Sequence, residues 1–172
     1  MMRRVLLITA LLMPLMASAY EVRLSEQQLQ QEINARLPVT QQRGLFTLEI
    51  SNAVLTLIDG EDRLRIQADA RLITSFGLQS RGKVTLDGKV RYNNQDYSFY
   101  IEDPVIRQIS IDGVAPELEP QLIELAQQSL TPALRNQPVY TLSDQEMTQN
   151  LARMMLKGMR IEQRSVVLVL SL

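Results

Sequence analysis

Apolar and polar side chains alternate through residues 46–111, a pattern that favours β-strands over helices. Its clearest stretch is 64–72, where every second residue is apolar and the residues between are Arg65, Gln67, Asp69 and Arg71. A period of two sends successive side chains to opposite faces, so one face of such a strand is buried. Short polar turns at 59–62 and 93–96 separate these runs. Consecutive strands should therefore pair antiparallel in a meander.

Helical spacing appears on both sides of the strands. Residues 24–37 carry an apolar residue at every fourth position, and Ser25 with Gln28 has the spacing of a capping box. Residues 116–134 have a similar apolar stripe, which Pro132 should kink or end near Leu130. A second capping box at Ser143 predicts a last helix to about residue 158. The apolar run 166–170 predicts a final strand that pairs with an early one.

These elements predict an α+β fold, because the helices are segregated from an antiparallel sheet. We expect a strongly curved antiparallel sheet wrapped around the long helix 116–134, with additional N- and C-terminal helices. No internal repeat is visible. Residues 20–172 are therefore expected to form a single domain.

Residues 1–19 have the features of a secretory signal peptide. Arg3 and Arg4 precede a short apolar run, and Ala17-Ser18-Ala19 places small residues around a cleavage site after Ala19. The apolar run is shorter than the roughly 20 residues needed to span a bilayer. The sequence therefore predicts a periplasmic protein with no transmembrane segment in the mature chain.

The composition excludes several chemistries. The chain contains no His, Cys or Trp. It therefore lacks the residues for a Ser-His-Asp triad, a thiol nucleophile, a disulfide or an ordinary zinc site. No Ser-x-x-Lys motif occurs, and the acids at 59–62 match a calcium loop poorly. We expect no enzymatic activity, no catalytic residues, no cofactor and no metal. Basic residues are not clustered, so nucleic acid is not an expected partner.

Four segments have a recognisable pattern: the helix opening at 24–28, the strands around 64–72, and the stretches 130–135 and 137–140. Together they resemble the YceB-like family of Gram-negative envelope proteins, which carry a domain of unknown function. The resemblance implies a curved sheet rolled about a helix, similar in shape to tubular lipid-binding domains such as the bactericidal permeability-increasing proteins. The chain lacks a lipobox Cys, which favours a free periplasmic form.

Aliphatic side chains are abundant and aromatic ones scarce, which suits an alkyl ligand. Each buried methylene contributes roughly 0.8 kcal/mol, so such a ligand needs no strong polar anchor. We therefore expect a hydrophobic slot that binds a lipid or fatty acid. The residues expected to line this slot are Leu64, Ile66, Leu72, Val84, Leu86, Leu118, Leu122 and Leu125. The alternative is that they form an ordinary filled core.

Two other function classes remain open. The first is an interaction module that docks an envelope protein through a sheet edge or through the Met-rich segment of Met147, Met154, Met155 and Met159. The second is a cell-wall hydrolase that uses two facing carboxylates, which would require a polar cleft and an acid with a perturbed pKa. No acidic pair in the sequence stands out for that role.

Overall fold

Strands predominate in a computed structural model of the chain, which describes residues 20–171: 53% of residues are in strands and 26% in helices. The elements follow one another as β1 (Tyr20–Ser25), α1 (Glu26–Arg36), β2 (Val39–Arg43), β3 (Phe46–Ile58), β4 (Arg63–Thr74), β5 (Gln79–Asn93), β6 (Ser98–Ile111), a 3-10 turn (Pro116–Leu118), α2 (Glu119–Asn136), β7 (Tyr140–Thr141), α3 (Met147–Met155), β8 (Leu156–Glu162) and β9 (Ser165–Leu170).

The strands form two antiparallel sheets. The larger has the order β2-β3-β4-β5-β6-β7, and the smaller has the order β1-β9-β8. The predicted meander is confirmed for β3 to β6, which pair with their neighbours in chain order. The last strand pairs with β1, where Tyr20 lies opposite Leu170, and it does not join the larger sheet to close it around the helix as expected.

The predicted α+β architecture is wrong. The chain is mostly β, and its strands divide between two sheets instead of forming one sheet wrapped around a long helix with additional terminal helices. β1 and β8 were not expected as strands, and together with β9 they build the second sheet. The long helix α2 packs along β6. The signal-peptide prediction concerns residues 1–19, which lie outside the described residues.

Side chains of two helices bond backbone groups at the unpaired edges of the larger sheet. Strand β2 pairs only with residues 46–50 of β3, and further along that edge the Gln30 amide accepts from Leu55 N–H at 2.8 Å and donates to Ala53 O at 2.6 Å. Gln127 does the same for β6, accepting from Ile106 N–H at 2.8 Å and donating to Pro104 O at 2.5 Å. Exposed strand edges invite pairing with other chains, and both helices cover them.

Two predicted helix ends and one predicted helix start differ from the structure, and one predicted start agrees. The capping box of Ser25 and Gln28 is present at the start of α1. Helix α2 continues to Asn136 with Pro132 inside it, where an end near Leu130 was expected. Helix α3 begins at Met147 without a side-chain cap and ends at Met155. Ser143 instead accepts from the N–H groups of Gln145 and Glu146 in the turn before α3.

A filled core joins the two sheets. Residues from β1, α1, β3, β4, β5, β6 and β9 meet there around a void of only about 10 Å³, lined among others by Leu24, Leu55, Leu64, Phe99 and Val166. Those five side chains are almost completely buried. Within residues 20–171, no helix combines the length and the apolar character needed to cross a membrane.

Candidate functional site

One face of α2 forms the wall of two apolar cavities. Leu122, Ala126, Leu130 and Leu134 follow one another at intervals of four residues, which puts them on one side of the helix. The first two line the smaller cavity and the last two line the larger one. We call the two cavities together the apolar trough. From Leu122 to Leu134 the helix rises about 18 Å, and the two cavities lie along this length as separate volumes that share no lining residue.

The larger cavity has a volume of about 130 Å³. Its floor is the inner face of β3 to β6, and its sides are the end of α1, the start of β2 and the end of α2. The lining includes Ile33, Val39, Ile50, Ile66, Ala68, Val84, Leu86, Ile101, Leu130 and Leu134. This volume is close to the roughly 150 Å³ of an apolar cavity that binds benzene, so it accommodates a segment of an alkyl chain.

The smaller cavity has a volume of about 50 Å³ and lies toward the other end of the trough. Gln41 of β2, Phe46 of β3 and Ile109 of β6 all line it. In a flat sheet, β2 and β6 would lie about 19 Å apart, since they are separated by four strand spacings. Their side chains meet around one small cavity, so the sheet curves, and both cavities lie between its concave face and α2.

The trough contains six of the eight residues predicted for a hydrophobic slot. Ile66, Val84 and Leu86 line the larger cavity. Leu72, Leu122 and Leu125 line the smaller one. The remaining two lie elsewhere. Leu64 belongs to the filled core between the sheets, and Leu118 is an exposed residue of the 3-10 turn that lines neither cavity.

Sequence reasoning missed the wall contributed by α1 and β2. Ile33, Leu37 and Val39 line the larger cavity, but they precede the alternating region. Strand β2 is short, and Gln41 and Gln42 interrupt its apolar pattern. The stripe of α1 at Leu29, Ile33 and Leu37 was the available signal that this helix faces a core.

The charged group at the rim of the larger cavity is already engaged. Arg36 donates to the carbonyl oxygen of Pro138 and lies 3.7 Å from the Glu32 carboxylate. Apart from Arg36 and Gln137, the lining of this cavity is apolar. Selection there would rest on apolar area instead of on a charged head group.

A buried carboxylate lies outside the trough, between arginines of neighbouring strands. Asp87 of β5 accepts from Arg65 at 2.7 and 2.9 Å and from Arg107 at 2.9 Å. The hydrogen bonds from Arg65, and next those from Arg107, hold the pKa of Asp87 below its usual range, although burial acts in the opposite direction. A general acid in a glycosidase needs a raised pKa, so Asp87 is poorly suited to that role.

A polar groove also lines the sheet, on residues that include Glu49, Asp69, Arg71, Arg81 and Asp112. Arg71 forms an ion pair with Glu49. Within residues 20–171, no group of three or more acidic side chains lies close enough together to hold a metal ion. In the turn predicted from residues 59–62, Asp59 accepts from the backbone N–H of Arg164 at 3.0 Å.

The Met-rich segment divides between surface and core. Met147 and Met154 of α3 are exposed, whereas Met155 and Met159 pack against the core. An exposed pair of methionines is the feature that the interaction-module hypothesis requires.

Comparison with known proteins gives one family. The sequence model of a family described as "Protein of unknown function (DUF1439)" matches residues 24–164. The matched range spans the chain from the last residues of β1 to the turn before β9. No curated protein matches the chain.

Proposed function

The chain belongs to the DUF1439 family, whose function is unknown, and we propose that it is a non-enzymatic periplasmic protein that binds the alkyl chain of a lipid or fatty acid in the apolar trough. The observation that carries this proposal is the stripe from Leu122 to Leu134, which faces two cavities on the concave face of the larger sheet. Residues of a tightly packed core would leave no such volume.

The chemistry of the lining supports an alkyl ligand. Aliphatic side chains dominate both cavities, and Arg36 is engaged by Pro138 and Glu32. Burial of methylene groups alone, at roughly 0.8 kcal/mol each, gives useful affinity once several are enclosed. A chain longer than the larger cavity would continue along α2 toward the smaller one.

The periplasmic part of the proposal rests on the sequence. Residues 1–19 have the pattern of a signal peptide, and the resemblance to YceB-like envelope proteins points to the same compartment. Cleavage after Ala19 would leave the described strand Tyr20–Ser25 within the mature chain.

Native mass spectrometry of protein purified without detergent from a periplasmic extract tests both parts. We expect a mature chain that begins at Tyr20 and carries a co-purifying lipid or fatty acid. After removal of that lipid, palmitate should bind and a short-chain acid such as butyrate should not. A mature protein that carries no lipid and ignores palmitate would refute the proposal.

A second candidate function is docking of an envelope protein through α3. The exposure of Met147 and Met154 favours it. Cross-linking in cells with a photoreactive residue at position 154 would then trap one dominant protein. A matched photoreactive residue at the exposed position Gln121 on α2 should trap none.

A further inference from the structure

Two adjacent hairpin turns at one end of the larger sheet expose large apolar side chains. The turn between β2 and β3 carries Leu45 and Phe46, and the turn between β4 and β5 carries Phe76 and Leu78. Phe76 is 81% exposed and Leu78 is 70% exposed. We call these four residues the tip surface. Contiguous exposed apolar residues of this size mark an interaction surface.

Backbone hydrogen bonds order both turns and hold them together. Ser75 N–H donates to Leu45 O at 2.9 Å, and Phe46 pairs with Thr74 in the β3–β4 ladder. Within the second turn, the N–H groups of Thr74 and Gly77 donate to the carbonyls of Leu78 and Thr74, each at 2.9 Å. Gly77 takes a φ of +83°, which favours glycine. The turn therefore presents Phe76 and Leu78 on a formed scaffold.

The tip surface is continuous with the mouth of the apolar trough. Phe46 belongs to both, because it lines the smaller cavity and is itself exposed. Leu48 and Leu72 lie behind it on β3 and β4 and line the same cavity. An alkyl chain that extended from the smaller cavity past Phe46 would reach the tip surface.

A positive charge lies beside the tip surface. Residues 72–83 contain no acidic residue, and Arg81, three residues beyond Leu78 on β5, is exposed. Lys83 lies further along β5 opposite Asp69, so Arg81 supplies the positive charge beside the second turn. Basic residues beside apolar side chains are the combination that binds anionic membrane interfaces.

We propose that the tip surface inserts into the interface of an anionic phospholipid bilayer and places the mouth of the trough against it. This inference rests on the proposed function, to which it adds the source or destination of the ligand. Protruding turns with apolar side chains fit a fluid interface, which closes around them without a preformed pocket. A bilayer also supplies the alkyl chains that the trough would enclose.

The first test is flotation of the mature protein, residues 20–172, with vesicles of phosphatidylethanolamine and phosphatidylglycerol. The double variant Phe76→Ser/Leu78→Ser should reduce vesicle binding by roughly tenfold or more, because it removes two large apolar side chains from the interface. The control Met147→Ser/Met154→Ser removes side chains of similar exposure, 80% and 77%, from α3. It should bind vesicles like the wild type.

A second variant reports insertion directly. The chain contains no tryptophan, so Phe76→Trp introduces the sole indole of the protein. Its emission should shift to the blue when vesicles are added and should be quenched by brominated lipids. Met154→Trp should show neither change.

Three results would each overturn the proposal. The first is wild-type protein that does not float, and the second is an equal loss of vesicle binding in both double variants. The third is that vesicles do not change the indole emission of the Phe76→Trp variant. This third result would overturn the proposal even if the Phe76→Ser/Leu78→Ser variant fails to fold.

Palmitate binding without vesicles separates this inference from the proposed function. We expect Phe76→Ser/Leu78→Ser to bind palmitate like the wild type. If the wild-type protein binds vesicles but not palmitate, the proposed function is refuted and the proposal for the tip surface stands. If it binds palmitate but not vesicles, the proposal for the tip surface is refuted and the proposed function stands.

Discussion

The backbone N–H of Ser75 donates to the carbonyl oxygen of Leu45 at 2.9 Å, and this bond joins the β2–β3 turn to the β4–β5 turn. It continues the β3–β4 ladder beyond the last paired residues, Phe46 and Thr74. The same ladder carries Leu48 and Leu72 on the wall of the trough. The exposed tips and the smaller cavity thus lie on one continuous piece of sheet.

Filling the larger cavity should stabilise the protein and block the ligand. Ala68 of β4 lines this cavity, and Ala68→Ile adds apolar bulk at a strand position that favours β-branched residues. We expect the free energy of unfolding in urea to rise by about 1 kcal/mol. The added side chain should displace about two methylene groups of the bound palmitate from the cavity. At about 0.8 kcal/mol each, this loss should weaken palmitate binding roughly tenfold.

The matched control introduces the same side chain on the opposite face of the sheet. Thr56→Ile lies at an exposed position of β3 and should leave palmitate affinity unchanged. If position 68 instead faced a tightly packed core, Ala68→Ile would destabilise the protein by about 1–3 kcal/mol. That result would argue against the trough.

The side chain of Gln127 should contribute strongly to the attachment of α2. Gln127→Ala leaves Ile106 N–H and Pro104 O without their partner at the β6 edge. We expect a loss of about 2 kcal/mol in urea unfolding. Gln121→Ala, at an exposed position of the same helix, should change stability by less than about 0.5 kcal/mol. Equal effects of the two variants would show that these two hydrogen bonds contribute nothing.

The Asp87 carboxylate should stabilise the fold at neutral pH and lose that effect in acid. Its pKa is lower in the folded protein than in the unfolded chain, because Arg65 and Arg107 bind the ionised form. The contribution is therefore complete above the unfolded pKa of about 3.9 and disappears as the pH falls through the lower folded value. Asp87→Asn should cost about 2 kcal/mol at pH 7 in urea unfolding.

The difference between wild type and Asp87→Asn should narrow below about pH 4. Asp103→Asn provides the control, because Asp103 pairs with Arg135 at 2.9 Å on the surface, where ion pairs contribute little. Asparagine also tolerates the positive φ of residue 103. A difference for Asp87→Asn that stays constant from pH 7 to pH 3 would contradict the assignment.

Removal of the Tyr92 hydroxyl should stabilise the protein. This oxygen is buried and has no hydrogen-bond partner within residues 20–171, and burial raises the pKa of the phenol. Tyr92→Phe keeps the ring, which packs 5.0 Å from Phe99 between centroids. We expect a gain of about 1 kcal/mol, or a rise of about 3 °C in Tm. Tyr100→Phe, which loses a hydrogen bond to Asp96, should not stabilise.

Elements governed by local chemistry could be predicted from the sequence. The alternation at 64–72 lies within β4, and its apolar residues Leu64, Ile66, Ala68 and Ala70 are buried. The capping box at Ser25 is also local, since both partners lie within one helical turn. In these places the pattern of side chains and the final environment agree.

Some elements depend on distant partners, and one of them carried a signal that was missed. β1 pairs with β9, at the other end of the chain, but Tyr20, Val22 and Leu24 alternate with polar residues as in a half-buried strand. Helix α2 passes through Pro132 because Leu130 and Leu134 pack on the sheet on either side of it. Tertiary packing outweighs the missing hydrogen bond of the proline there.

The candidate site could be predicted only in part, because its shape also depends on contacts between distant segments. Apolar strand positions such as Ile66 and Val84 could be identified from alternation, but the division between core and cavity depends on how the sheet curves. Leu64 and Ile66 look equivalent in sequence, yet the first lies in the filled core and the second lines the trough.

A crystal structure of the mature protein with bromine-labelled palmitate tests the central claim most directly. The account predicts anomalous bromine density in the trough, between Leu130 or Leu134 of α2 and Val84 or Leu86 of β5. Binding of the labelled acid in solution with bromine density outside the trough, or a trough closed by the lining side chains, would contradict it.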